Sequence, residues 1–197
     1  MSAKIAAIVL AAGRSSRFGS GNKLLERIGG EALVTRVARA AIESGAEPVI
    51  VVTGFEAPRV AEAISHLNVA IAHNPAFVDG LSASLLTGLE ALPPDCDGAL
   101  ILLGDMPEIA AADLAALIAA FAARDSICVP VHQGRRGNPV LWGADYFAGI
   151  QALSGDAGAK QLIARHADRV IEVPVGSPGI FADVDTQADL VRLRNKT

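Results

Sequence analysis

The sequence predicts an α/β fold: a doubly wound, mostly parallel sheet with helices on both faces and a small antiparallel edge element. Three observations predict it. Strand-like runs alternate with helix-like stripes along most of the 197 residues, the pattern that builds a parallel sheet covered on both sides. The first run, residues 5–10, is apolar at every position, as a strand buried on both faces must be. Hydrophobic residues make up 51% of the chain at a mean hydropathy of +0.39, enough to offset the ordering entropy that keeps polar chains unfolded. The length, with no internal repeat and no long linker, predicts a single domain over residues 1–197.

The elements follow in order. After the strand at 5–10, Leu33, Val34, Val37, Ala38, Ala41 and Ile42 recur at helical spacing, and Gly45 stands where a helix end takes a left-handed residue. A strand at 49–52 closes the first βαβ unit. Pro58 opens the next helix, with Val60, Ala63, Ile64 and Leu67 as its stripe, and residues 69–72 form the strand after it. Leu85, Leu86 and Leu89 mark a third helix, and residues 99–103 a second central strand. Leu114, Leu117, Ile118 and Phe121 mark its crossover helix, and residues 127–131 the following strand. Beyond this point the texture changes. Residues 134–137 punctuate like a hairpin turn, and 139–142 are expected to return antiparallel at the edge. Two helical stretches, strand-like runs at 170–173 and 181–184, a surface loop at 176–179 and a final helix capped by Thr186 and Asp189 complete the chain.

Composition excludes several classes. A net charge of -4 and 4% aromatic residues remove the basic footprint and stacking platforms of a nucleic-acid binder. The longest apolar stretch, 114–123, is too short and alanine-rich for a bilayer, which takes about 20 residues, so no membrane partner is expected. The start of the chain lacks secretory features, and Cys96 and Cys128 are too few for a disulfide framework or a metal site. A reducing cytoplasm and a small-molecule partner are the expectation.

Three features carry chemistry. The first is the loop at 10–23, LAAGRSSRFGSGNK, glycine-punctuated and basic, directly after the first buried strand. In an open parallel sheet ligands bind at the carboxyl ends of strands. Gly13, Gly19 and Gly21 let backbone approach a ligand, successive N–H groups can cradle phosphate oxygens, and Arg14, Arg17 and Lys23 add positive charge. An ordinary βα turn with solvated basic residues is the plainer reading. Neither GxxxxGK[ST] nor the complete dinucleotide fingerprint is present. The second feature is Gly104, Asp105, Met106 and Pro107, which puts a carboxylate at the end of an apolar strand, beside the glycine loop. A carboxylate there can hold Mg²⁺ together with substrate phosphates, or simply cap a helix. The third is Asp183, Val184, Asp185 and Thr186, where strand alternation puts both carboxylates on one face and either could complete the metal site.

These residues also carry a resemblance. The loop at 10–23 resembles the LAAGxSxRxGxxK signature of the MobA-like NTP transferases, nucleotidyltransferases that include the molybdenum cofactor enzymes. Asn74 and Pro75, the run 80–85, Gly104 to Pro107, GNPVLW at 137–142, GDAGA at 155–159 and Asp183 to Thr186 appear in that family's order. Because the loop reads Ala11, Ala12, Gly13 where guanylyl-transferring relatives usually carry AGG, the resemblance is to the cytidylyltransferase branch.

The resemblance implies a Rossmann-like, nucleotide-diphospho-sugar transferase-like fold. It implies a triphosphate on Leu10, Ala11, Ala12, Gly13, Arg14 and Lys23, with Arg14 on the distal phosphates and Lys23 nearer the α-phosphate. Asp105 and Asp185 would hold Mg²⁺; Gly80, Ser82 and Ser84 would lie against base and ribose; Arg136, Gly137, Asn138 and Asp156 would face a molybdopterin-type acceptor. Arg14, Lys23 and Asp105 would be the catalytic residues. The implied reaction has the acceptor's terminal phosphate attack the α-phosphorus of CTP and expel pyrophosphate, with a molybdoenzyme apoprotein or its chaperone as a possible receiver. The nucleophile is already ionised, so no general base is required, and none is evident: the run 80–84 is not a GxSxG elbow and the four histidines are scattered. The chain departs from the family in reading Gln187 and Ala188 within DTQAD, and Lys160 where relatives often carry Arg, a point charge in place of a fork. His66, His73, His132 and His166 read as structural or solvated, Trp142 and Met106 as packing residues, and both cysteines as inert. Three alternatives remain open from sequence: the same chemistry with GTP or another phosphorylated acceptor, an NAD(P)H-dependent reductase of a heteroaromatic compound, and a non-catalytic cofactor carrier.

Overall fold

The computed structural model describes residues 3–16, 18, 19, 21–152 and 158–196, without the side chains of 158–160. The strands are β1 (Ile5–Ala11), β2 (Arg27–Ile28), β3 (Glu31–Ala32), β4 (Val49–Thr53), β5 (Ala70–His73), β6 (Gly98–Leu103), β7 (Ile127–His132), β8 (Arg135–Arg136), β9 (Val140–Gly143) and β10 (Val170–Pro174). The helices are α1 (Leu33–Glu43), α2 (Ala57–Ile64), α3 (Leu81–Glu90), α4 (Ala111–Ala120), α5 (Phe147–Gln151), α6 (Gly158–Arg165) and α7 (Gln187–Arg194). The main sheet runs β10-β7-β9-β6-β1-β4-β5, with β8 paired to β7. All neighbours along that path are parallel except where β9 meets β6 and β7.

Alternation along the central strands assigns the two core layers. Ala7, Val9, Val49, Val51, Leu100 and Leu102 point to the layer that holds α1, α2 and α4. Ile8, Leu10, Val52, Ala99 and Ile127 point the other way, to the layer built on Leu89 of α3, Ile150 of α5 and Leu162 of α6. A strand buried on both sides has no polar face, which is why the sequence shows continuous apolar runs. The doubly wound α/β fold expected from the sequence is thus the observed one, and small antiparallel elements are present in the β2–β3 pair and in β8.

Three local expectations are corrected. Residues 139–142 do return antiparallel, but β9 lies inside the sheet, between β6 and β7, and not at its edge. The hairpin turn that precedes it centres on Gln133 and Gly134, both left-handed, and joins β7 to the two-residue β8. Residues 181–184 are not a strand. Phe181 ends a 3₁₀ turn, Pro178–Phe181, and the Val184 N–H bonds the Asp105 carbonyl at 2.9 Å instead of joining the ladder. Nor does the loop at 176–179 lie wholly on the surface: Gly179 is buried, its α-carbon so close to Glu108 that a Cβ would sit 2.1 Å from the carbonyl oxygen.

A third apolar cluster bears on the site. Phe18 from the glycine loop, Ile28, Leu33, Val184, Leu190 and Leu193 pack together, so α7 is anchored beneath that loop with Val184 between them. No described helix is long and apolar enough to cross a membrane.

Candidate active site

β1 runs toward β4 and β5 on one side, whereas the chain later comes back to place β6 on its other side. A doubly wound sheet opens a crevice at such a reversal, outside the carboxyl ends of the strands. Here the crevice is a cleft of about 660 Å³ whose walls include Leu10, Ala12, Gly13, Arg14, Lys23, Gly80, Ser84, Asp105, Asp183 and Asp185. One end is polar, formed by the glycine loop and the carboxylates; the other is apolar, formed by Phe77, Val78 and Leu81.

The loop after β1 is built to bring Lys23 back toward the sheet. Ser15 takes the left-handed conformation at φ 54°, and its hydroxyl accepts the Lys23 N–H at 3.0 Å. Asn22, buried, accepts the Leu24 N–H at 3.1 Å and donates to the Phe55 carbonyl at 3.2 Å, which ties the loop to the segment after β4. Gly19 and Gly21 take positive φ values that a side chain would oppose. The result is a side chain aimed at the end of β6. Lys23 Nζ lies 2.6 Å from Asp105 Oδ2 and 3.2 Å from Asp185 Oδ1. Lys23 and Asp105 are largely buried, at 14% and 17% side-chain exposure, so this pair feels a weaker screening than a surface ion pair.

Asp105 follows β6 through Gly104, where a Cβ would meet the Leu10 carbonyl oxygen at 2.9 Å; only glycine lets β6 and β1 end so close together. Asp185 is positioned from below. Asp189 accepts from the N–H groups of Asp185 and Thr186, at 3.3 and 3.0 Å, and from the Thr186 hydroxyl at 2.7 Å, while Thr186 caps the Asp189 N–H in return. Those hydrogen bonds hold the Asp189 carboxyl below the ordinary carboxylate range.

Two carboxylates from separate parts of the chain meet at the Lys23 ammonium, and Asp105 Oδ1 is buried without a hydrogen-bond partner among the described residues. A buried carboxylate oxygen left this way is costly unless a cation or donor meets it. That donor set of two carboxylates, open toward a cleft that would take phosphates, fits Mg²⁺, which is commonly held by one or two carboxylates plus substrate phosphates. Asp183 lines the cleft and a second cavity, and no group of three metal-ligating side chains occurs among the described residues.

The second cavity, about 570 Å³, adjoins the first and shares Leu103 and Asp183 with it. Arg136, Gly137 and Asn138 line it, with an apolar wall of Met106, Val129, Ile163 and Phe181. Gly137 and Asn138 are pinned there, their N–H groups donating to Pro130 at 2.9 Å and Ile180 at 3.0 Å. Arg135 stacks over Phe181 at 4.7 Å, and Arg136 pairs with Glu172 at 2.7 Å.

Most residues singled out from the sequence therefore converge on the two cavities. Ala11 and Ser82 do not line either one; Ala11 packs into the α1 core layer, because alternation along β1 turns it away from Leu10 and Ala12. Arg17 and Asp156 lie outside the described residues. Trp142 is core, packed edge-on against Tyr146, and His132 and His166 make structural contacts. Burial pushes the Cys128 thiol up to about 11 and raises Cys96 as well. Sequence reasoning missed Asn22 as the residue that pins the loop and Phe77 and Val78 as part of the apolar wall. An asparagine directly ahead of Lys23, after the glycine–serine run at 19–21, was the available signal.

A parallel sheet with a glycine loop, a lysine and two carboxylates at its reversal point defines the nucleotidyltransferase class of α/β protein. The model of the MobA-like NTP transferase domain matches residues 7–170, and the chain belongs to that family. Among curated relatives, the purine catabolism protein PucB of Bacillus subtilis is 30% identical over 94% of each chain, and the nicotine blue oxidoreductase of Paenarthrobacter nicotinovorans 27% identical over 96% of each. The bifunctional protein GlmU of Kineococcus radiotolerans is 38% identical over 60% of this chain, a match that spans 25% of GlmU's length. Among solved structures, the nucleotidyl transferase Mth528 of Methanothermobacter superposes with a TM-score of 0.86 at 26% identity, covering 98% of this chain and 97% of that one. Rv0371c of Mycobacterium tuberculosis in complex with manganese gives 0.82 at 28% identity, covering 98% and 100%.

Proposed function

We propose that this protein is a Mg²⁺-dependent cytidylyltransferase, acting as one domain, that transfers CMP from CTP to the terminal phosphate of molybdenum cofactor and releases pyrophosphate. The observation that carries the reading is the cluster of Lys23, Asp105 and Asp185, with Asp105 Oδ1 buried and unpartnered among the described residues at the polar end of the cleft. The related Rv0371c has been solved in complex with manganese, which supports divalent-ion binding by a protein of this fold.

The residues divide the work by position. Backbone N–H groups of the loop and the exposed Arg14 bind the β- and γ-phosphates, while Lys23, held at the end of β6, meets the α-phosphate and the charge that builds on leaving pyrophosphate. Asp105 and Asp185 hold the metal, which when bound supplies charge neutralisation across the phosphates. Base and ribose lie along Ala12, Gly80 and Ser84 against the apolar wall. Ala12, where guanylyl-transferring relatives usually carry glycine, sets a methyl group in that wall and suits the smaller base. The acceptor's heteroaromatic ring system enters the second cavity, with Arg136 and Asn138 at its phosphate, so the two substrates meet where the cavities adjoin. Catalysis is then positioning and electrostatic stabilisation, with no base needed for an ionised phosphate nucleophile. The product would pass to a molybdoenzyme apoprotein or its chaperone in the cytoplasm.

A second reading, reduction of a heteroaromatic compound with NAD(P)H, is favoured by one observation, the similarity to nicotine blue oxidoreductase along nearly the whole chain. Hydride transfer has no use for two carboxylates around an ammonium, and it ranks second. One experiment tests both: pyrophosphate release with Mg²⁺ and molybdenum cofactor, comparing CTP, GTP, ATP and UTP, with NADPH consumption followed in parallel. Release with CTP alone is expected. Release with GTP keeps the mechanism and overturns the base assignment, whereas silence with every triphosphate and consumption of NADPH overturns the transferase reading.

A further inference from the structure

Asn74 follows β5 directly, its N–H continuing the ladder to the Thr53 carbonyl at 2.8 Å. Its side chain is buried, at 2% exposure, and makes two hydrogen bonds whose directions are determined. The Ala76 backbone N–H can only donate, and it points at Asn74 Oδ1 from 2.9 Å. That assigns the amide: the other terminal atom is the NH₂, and it donates to Ser84 Oγ at 3.0 Å. Ser84, in the first turns of α3 and 5% exposed, is therefore an acceptor on its inner side. Its own hydroxyl proton must go elsewhere, and among the described residues Ser84 donates to no acceptor. What remains is the cleft, whose wall Ser84 forms beside Leu81 and Phe77 at the apolar end.

We propose that Asn74 is a positioning residue for base recognition: by occupying the acceptor side of Ser84 it makes that hydroxyl a dedicated donor, aimed at an acceptor atom on the edge of the nucleotide base. A free serine hydroxyl rotates and serves donors and acceptors alike, so it distinguishes little. With its rotor set, it rewards a base that presents a carbonyl oxygen or an unprotonated ring nitrogen at that point and leaves unpaired one that presents an N–H. A site built to hydrogen-bond one group rejects its opposite strongly, because the mismatch buries unpaired polar atoms. The inference rests on the reading of this cleft as a nucleotide site.

The variant that tests it is Asn74→Asp. Its Oδ1 still accepts from Ala76, but the second oxygen can no longer donate. It must take the Ser84 proton, so the hydroxyl would present a lone pair to the base. Affinities are measured by calorimetry, with Mg²⁺, for CTP and for inorganic tripolyphosphate, which engages only the polar end. For Asn74→Asp we expect CTP to bind about tenfold more weakly, the cost of one reversed hydrogen bond, with tripolyphosphate unchanged. Ser84→Ala should also weaken CTP alone, and Asn74→Asp should add little further loss in that background. Equal losses for CTP and tripolyphosphate would show a merely structural role and overturn the proposal. So would an unchanged CTP affinity in Asn74→Asp, or fully additive losses in the double variant. If the wild-type protein binds CTP no better than tripolyphosphate, the nucleotide reading itself fails, a result distinguishable from all of these.

Discussion

The Val184 N–H donates to the Asp105 carbonyl at 2.9 Å, and this one bond stitches the turn after β6 to the segment before α7. With Val184 fully buried against Phe18, Leu33 and Leu190, the residue after it has little freedom, and Asp185 is delivered to the same ammonium that Asp105 meets. Two carboxylates from distant parts of the chain thus share a site because an apolar side chain and a backbone bond hold the second one in place.

Asp105→Asn keeps the size of the side chain and removes its charge. Turnover is expected to fall by about a thousandfold, the order of a metal's contribution to transition-state stabilisation. Binding of Mn²⁺, followed by electron paramagnetic resonance, should weaken in parallel while the thermal midpoint changes little. Near-normal kcat would remove Asp105 from the metal site.

Lys23→Met should lower kcat by about a hundredfold with a smaller change in KM, because the ammonium is assigned to charge that develops on the leaving group. It also removes the ammonium from its ion pair with the largely buried Asp105. Breaking such a largely buried pair is destabilising, so the urea midpoint should drop in the presence of chelator and recover in part when Mg²⁺ is added. A shift confined to KM would make Lys23 a ground-state contact instead.

Asp189 is expected to give an acid-sensitive contribution to stability. Hydrogen bonds from Thr186 lower its folded-state carboxyl below the ordinary aspartate range, so the contribution is present in full above the unfolded-chain value and is lost as pH falls through the lower folded-state value. Comparing urea unfolding at pH 5 and pH 3, the wild type should lose more stability than Asp189→Asn. Identical losses would show that the bonds to Asp185 and Thr186 do not depend on the charge.

Gly137→Ala would place a Cβ 2.6 Å from the Ile180 carbonyl oxygen, forcing the wall of the second cavity apart. The expected signature is a several-fold rise in KM for the acceptor with the CTP KM unchanged, since the glycine loop lies in the other cavity. Equal effects on both substrates would argue against separate sites.

Both thiols should resist alkylation in the folded protein. Cys128 lies at 0% exposure with its thiol pushed up to about 11, and Cys96 is also buried and raised. Thiolate is the reactive form, so iodoacetamide at pH 8 should label neither residue until the chain is denatured.

Local pattern made much of the fold and site legible. The apolar runs at 5–10 and 99–103 could belong only to strands buried on both faces, and a glycine-rich basic loop after one and an Asp after the other marked the ligand edge. The position of β9 was not legible, because a four-residue apolar strand reads alike at an edge and in the interior. Its place between β6 and β7 is decided by which neighbours bury it. The run at 181–184 misled for a related reason: alternation is a local signal, and Asp183 and Asp185 do both reach the cleft, but the hydrogen bond that orients Val184 comes from across the molecule.

By itself the sequence determined the α/β class, the order of the elements and the residue types able to handle phosphate, since these depend on periodicity and on chemistry carried by single residues. Only the tertiary structure decided that Lys23 reaches Asp105 and Asp185 together, that Asp183 stands between two cavities, that Ala11 and Ser82 line neither, and that Asn74 commits the Ser84 proton. Each of those depends on side chains from separate elements meeting within hydrogen-bonding distance, and a packing geometry of that kind is written in no local stretch of the chain.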